Sequence, residues 1–200
     1  MNQVIKKLND SLYIIEELLE DKMFGTLIEE FKATNNSWVF NKKEAGQYHN
    51  HPKFGNLLKQ QYDAHGVGDI LPLVEVAEVS KYTVMKVLKK RMKLERVNTN
   101  IQFAGQHSSL HEDGGKNQWT LCIFVAAKWN EDWGGAFQIF IDGEEFLTPF
   151  NPNRAVLFRA DHAHKGYAPT HLCPDARLSA AFTYSDYDAM MNKTSPFVNI

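Results

Sequence analysis

Two hundred residues, 44% of them hydrophobic and 23% charged, are enough for one domain with a sizeable core. A formal net charge of −2 excludes a protein that gathers nucleic acid by an overall basic surface, and it favours no other partner. Two cysteines, Cys122 in an apolar run and Cys173 in a polar loop, form neither a C-x-x-C metal pair nor a disulfide framework.

In chain order, the first thirty residues carry Asp and Glu through every apolar patch, so neither a secretory signal nor a membrane span is expected there. The reducing cytoplasm is the expected compartment. From Ile14 to Phe31 the residues Leu18, Leu19, Phe24, Leu27, Ile28 and Phe31 recur mostly three to five apart. That spacing predicts an amphipathic helix lying on another surface, interrupted near Gly25. Residues 35–68, rich in Asn, Gly and His, show no period that assigns them. Residues 69–96 predict a second helix, since Val76, Val79, Val84, Val87, Leu88 and Met92 keep roughly helical spacing. Its Lys81, Lys86, Lys89, Lys90, Arg91, Lys93 and Arg96 make residues 81–96 a basic helix. Such a helix is either a solvated face or a positive surface for nucleic acid or an acidic protein.

After Arg96 the texture changes to short apolar runs broken by turn residues, which predicts strands. The runs are Val97 to Phe103, Trp119 to Ala126, Ala136 to Ile141, Ala155 to Phe158 and Leu178 to Tyr184. Trp119, Trp129 and Trp133 are expected to fill the core or to support the loop around Gly134 and Gly135. The fold class is therefore α+β and single-domain, with residues 1–96 a helix-rich support and residues 97–200 a β core.

The chemistry-bearing stretch is LHEDGG, in which His111 and Asp113 flank Glu112. Residues two apart on an extended segment share a side, so an imidazole and a carboxylate can converge on one point while Glu112 faces away. With a second histidine they would form the two-histidine, one-carboxylate face that holds a ferrous ion and leaves positions open. Alone, an H-x-D pair reads more readily as two surface residues at a turn than as a metal site. RADHAHKGYAP offers His162 or His164 as the third donor. Further on, Arg177 and Ser179 again share a face, and a guanidinium aimed into a β core needs a carboxylate from the protein, such as Asp161 or Asp175, or from a ligand. His49, His51 and His107 belong to no metal-binding pattern with a helical or C-x-x-C frame.

Taken in order over residues 97–184, a strand, the HED pair, WTLCIFVAAKWNEDWGG, PNRAVLF, HKGYAP and R-L-S resemble the Fe(II)/2-oxoglutarate-dependent dioxygenases, in their prolyl 4-hydroxylase-like branch. The resemblance implies a double-stranded β-helix (a jelly-roll, cupin-like barrel) with Fe(II) bound by His111, Asp113 and His164, the histidine that H-x-G-x-x-P context favours. It also implies that Arg177 and Ser179 hold the distal carboxylate of 2-oxoglutarate. The sequence departs from the branch before the HED pair: QFAGQHSS puts Gln102 and Ser108 where tyrosines are often found, and Gln102 would then join the co-substrate shell. The implied reaction takes dioxygen and 2-oxoglutarate to hydroxylate a C–H bond with release of succinate, on a protein or peptide side chain such as proline. The same chemistry on nucleic acid or a small molecule, and a non-catalytic cupin-like binding protein, are the alternatives.

Overall fold

The computed structural model describes residues 3–32, 39–40, 54–57 and 71–194. Most of the unassigned region 35–68, with His49 and His51, lies outside the described residues.

The elements follow as β1 (Val4–Asn9), β2 (Leu12–Glu16), α1 (Asp21–Lys32), β3 (Val39–Phe40), β4 (Phe54–Leu57), α2 (Leu71–Leu88), β5 (Met92–Gln102), β6 (Gln118–Val125), β7 (Phe137–Ile141), β8 (Glu144–Thr148), β9 (Ala155–Arg159), β10 (His164–Gly166), β11 (Arg177–Asp186) and α3 (Tyr187–Thr194). All pairings are antiparallel. One sheet runs β1-β2-β9-β6-β11-β5-β4-β3 and the other β10-β7-β8. From β5 onward the chain passes back and forth between the sheets, which layers them face to face.

The first predicted helix is shorter than its apolar period. Ile14 belongs to β2, paired with Lys6 on one side and Val156 on the other, and the helix starts at Asp21. Leu12–Ile15 is a run of four apolar residues that two flanking strands can bury, and Glu17, at φ 51°, turns the chain out of the sheet. Gly25 does not interrupt α1: it sits inside the helix, and a Cβ there would meet nothing within 4 Å. Residues 1–96 are therefore not purely a helical support, since β1, β2, β3 and β4 extend the large sheet.

The second helix also ends early, at Leu88, where Lys89 takes the left-handed φ of 53° and Met92 opens β5. This corrects the basic helix 81–96. Its last cations lie beyond the helix and meet carboxylates: Lys90 with Asp186 at 2.7 Å, Arg91 with Asp188, Lys93 with Glu95 at 3.4 Å, and Arg96 with Asp113 at 3.2 Å. Among the described residues no helix is long and apolar enough to cross a membrane.

The period-2 alternation of the central strands divides the interior in two. Val97, Leu121, Ile123, Leu157, Ala180 and Phe182 face the helices, packing with Leu27, Ile28 and Phe31 of α1 and Val76 and Val84 of α2. Cys122, Phe124, Val156 and Phe158 face the small sheet, packing with Phe137, Ile139 and Ile141. Each of the Val, Leu, Ile and Phe side chains among them contributes about 1.5–3 kcal/mol when fully buried. With one face of the large sheet sealed by α1 and α2, the space between the sheets is left for a site.

Candidate active site

β10 brings His164 to the rim of the small sheet, where an isolated antiparallel bridge ties it to His111: His111 N–H donates to His164 O at 3.0 Å, and His164 N–H to His111 O at 2.9 Å. Asp113 and Gly114 N–H both donate to Ala160 O, at 2.9 and 3.0 Å. These bonds hold residues 111–114 extended, and Glu112 is exposed while its neighbours turn inward. His111 Nε2 lies 3.7 Å from Asp113 Oδ1, and His164 Nε2 lies 3.5 Å from Asp113 Oδ2. One donor atom from each residue falls within 4.8 Å of the others. Neighbouring ligands about 2.1 Å from a common ion stand roughly 3 Å apart, so small side-chain shifts would close this set on a metal.

The tautomers favour the same use. His111 Nδ1 lies 2.8 Å from Ser109 O and His164 Nδ1 2.9 Å from His162 O. A carbonyl accepts only, so in the neutral ring each Nδ1 carries the proton and each Nε2 offers its lone pair toward Asp113. Of the two candidate third donors, His164 thus joins the set and His162 stands behind it. The His162 ring is buried, its Nε2 without a hydrogen-bond partner, and burial pushes its pKa down. Phe158 and Phe137 flank His164 at ring-centroid distances of 4.4 and 5.5 Å, an apolar wall on the metal side.

Arg177 occupies the other part of the same cavity, facing Gln102 in the β5–β11 register, with Ser179 two residues on beside Asn100. It is 2% exposed. Its Nε donates to Gly135 O at 2.7 Å, and its Nη1 donates to Gln102 Oε1 at 2.8 Å and to Ser179 Oγ at 3.4 Å. The Phe124 and Phe150 rings lie 5.4 and 5.2 Å from the guanidinium carbon. Neither structural carboxylate foreseen for it is there: Asp161 accepts from Arg159 at 2.6 Å, and Asp175 accepts from the Ala176 N–H. Burial lowers the Arg177 pKa to about 10, and among the described residues no carboxylate meets its guanidinium.

Gln102 donates to Gln106 O at 2.9 Å and to Ser108 Oγ and Gly166 O at 3.3 Å, so its oxygen is turned toward Arg177. Its place in the cavity is that of a clamp on the guanidinium. The sequence reading missed Arg96, Asn98, Asn100, Thr120, Cys122, Phe137 and Phe158, of which all but Arg96 line the cavity. A signal existed on β5: Arg96, Asn98, Asn100 and Gln102 put four polar side chains at every second position, unusual for a central strand unless that face meets something polar. The tryptophan expectation holds for Trp129, whose Nε1 donates to Gly134 O at 3.0 Å, and for Trp119, which is buried. His107 braces the loop after β10, its Nδ1 accepting from the Ala168 N–H at 3.1 Å.

No family model and no curated protein matches the chain. Solved structures do. The non-heme alpha-ketoglutarate-dependent epimerase SnoN from nogalamycin biosynthesis superposes with a TM-score of 0.67 at 12% identity, over 88% of this chain and 79% of that one. A Pseudomonas putida prolyl-4-hydroxylase gives 0.63 at 11% identity, over 88% and 92%. A Trichoplax adhaerens prolyl hydroxylase in complex with a hypoxia inducible factor peptide fragment gives 0.66 at 13% identity, over 94% and 88%. At such identities the likeness is one of fold, and the two facing antiparallel sheets with their helical cover are the double-stranded β-helix of these oxygenases.

Proposed function

We propose that the chain is an Fe(II)- and 2-oxoglutarate-dependent dioxygenase that converts a substrate C–H bond, dioxygen and 2-oxoglutarate into C–OH, succinate and carbon dioxide. The observation that carries this reading is one cavity with two complementary ends: two imidazoles and a carboxylate converging on a point, and a buried guanidinium that no carboxylate meets among the described residues. Two histidines and one carboxylate suit ferrous iron and leave positions open. A dicarboxylic keto acid supplies the anion that Arg177 lacks.

When bound, iron and 2-oxoglutarate supply the oxidising chemistry, and the protein positions and shields. His111, Asp113 and His164 would hold the metal. Arg177 and Ser179 would bind the distal carboxylate, with Gln102 and Gly135 O fixing the guanidinium plane. Phe137 and Phe158 keep the metal side dry. For the substrate we assign a protein or peptide side chain, proline first. Support comes from two of the fold neighbours being prolyl hydroxylases, one of them solved with a peptide. A reducing compartment such as the cytoplasm suits the Cys122 thiol that lines the cavity.

Succinate released from 2-oxoglutarate under air is the test. We expect Fe(II)-dependent release in the parent, none in His164→Ala, and in Arg177→Met a 2-oxoglutarate affinity weakened about 30-fold or more with metal binding retained. Metal bound at His164 without any succinate would instead indicate the non-catalytic binding protein. Screening peptides and nucleic acids for stimulated turnover then decides the substrate class.

A further inference from the structure

We propose that Arg96 is a positioning residue for Asp113: it engages one carboxylate oxygen, Oδ1, so that Oδ2 is the one left to bind the metal. The inference rests on the reading of His111, Asp113 and His164 as a metal site. Arg96 lies on β5 opposite Thr183 of β11, in the inward row that continues through Asn98, Asn100 and Gln102. Its Nη2 donates to Asp113 O at 3.1 Å, Asp113 Oδ1 at 3.2 Å and Thr183 Oγ1 at 3.3 Å. Thr183 Oγ1 stands 3.3 Å from Thr120 Oγ1 on β6. The Asn98 amide, turned so that both its ends are satisfied, accepts from Arg96 Nε at 3.3 Å and donates to Val97 O. Three strands of the large sheet thereby fix one guanidinium against residue 113.

The pair is largely withdrawn from solvent, with Arg96 side-chain exposure 22% and that of Asp113 10%, so its geometry is not that of a loose surface ion pair. Two consequences follow for a bound ion. Oδ1 stands 3.7 Å from His111 Nε2 but already accepts from Arg96, which leaves Oδ2, 3.5 Å from His164 Nε2, as the oxygen to bind, and a one-oxygen carboxylate keeps one more coordination position open than a chelating one. The bond to the Asp113 carbonyl also fixes the backbone that carries the ligand.

Titration of the metal-free chain with Co(II) alone, followed by calorimetry and by the visible Co(II) spectrum, tests this. The parent should bind one Co(II) and His164→Ala should lose it. Arg96→Met should bind about 10- to 100-fold more weakly with a changed spectrum, and Arg96→Lys, which keeps a charged donor, should recover part of both. Parent-like affinity and spectrum in Arg96→Met would overturn the proposal. So would weakened binding with an unchanged spectrum and no rescue by lysine, since Arg96 would then only support the strand. If Arg96→Met does not fold, Thr183→Val removes one anchor and should give a smaller loss with a spectral change in the same direction; no change overturns the proposal. A parent that binds no Co(II) removes the metal site itself, and the role of Arg96 with it, whereas a parent that binds at His164 confines any failure to Arg96.

Discussion

At the scale of single residues, the site depends on a guanidinium that cannot move. A Cβ on Gly166 would stand 3.2 Å from Arg177 Nη2 and 3.3 Å from its Cζ and Nη1. Gly135 O, Gln102 Oε1 and Ser179 Oγ hold Arg177 on its other sides, so it has little room to yield. Gly166→Ala should therefore push the guanidinium off its plane, at a cost of roughly 1–3 kcal/mol in 2-oxoglutarate affinity, about 5- to 150-fold in Kd. Calorimetry with the Co(II)-loaded protein reads it, and an unaltered Kd would mean that the guanidinium is not the carboxylate's contact. The spacing by two showed in the sequence only that His111 and Asp113, and likewise Arg177 and Ser179, share a side of a strand; their roles, and that of His164, came from the ordered family resemblance. Gly135, Phe124 and Phe150 were not legible, since 42 residues separate Gly135 from the arginine it accepts from, and no local pattern reports so distant a contact. Arg96 was hidden by its lysine-rich neighbours.

At the scale of elements, helix and strand overlap wherever an apolar run satisfies both periods. Ile14 and Leu18 are four apart, as on a helix, yet Leu12–Ile15 is a strand because β1 and β9 pair with both of its edges. Nothing local to Leu12–Ile15 announces its pairing with β9, where Ile14 faces Val156 from far downstream. Of the five strands read from residue 97 onward, four lie within two residues of their bounds, framed by turn residues, while β5 starts at Met92 inside the stretch read as helix; β8 and the three-residue β10 were not read. The passage from β2 to α1 depends on Asn153 in the turn before β9. Its Oδ1 accepts from the Leu19 N–H at 3.0 Å, its Nδ2 donates to Leu19 O at 2.8 Å, and its own carbonyl accepts from the Leu18 N–H at 3.0 Å. Its φ of 61° is one that asparagine tolerates and alanine does not. Asn153→Ala should leave two buried groups of Leu19 unpaired and strain the turn, destabilising the fold by about 2–4 kcal/mol in chemical denaturation. A loss under about 1 kcal/mol would show that water replaces the amide at little cost.

Across the whole molecule, the two faces of the large sheet have separate tasks: one packs α1 and α2, and the other meets the small sheet across the cavity. The proposed metal donors span that cavity from one sheet to the other. His164 belongs to the small sheet, while Asp113 is bonded to Ala160 beyond β9 and to Arg96 on β5 of the large one. An ion held by both would brace the sheets against each other at the rim of the cavity. Because it binds the folded chain and not the unfolded one, Co(II) at a hundred times its Kd should add about 2.7 kcal/mol of stability. For a chain of this size that is a rise of roughly 5–10 °C in Tm. The gain should be absent in His164→Ala. Hydrogen exchange gives the same expectation a location. The amides of His111, Asp113, Gly114 and His164, whose bonds join the two sheets at the site, should slow more than those within α1 and α2, which local opening of the rim does not break. An equal shift in His164→Ala, or protection spread evenly over the helices, would place the ion elsewhere on the chain.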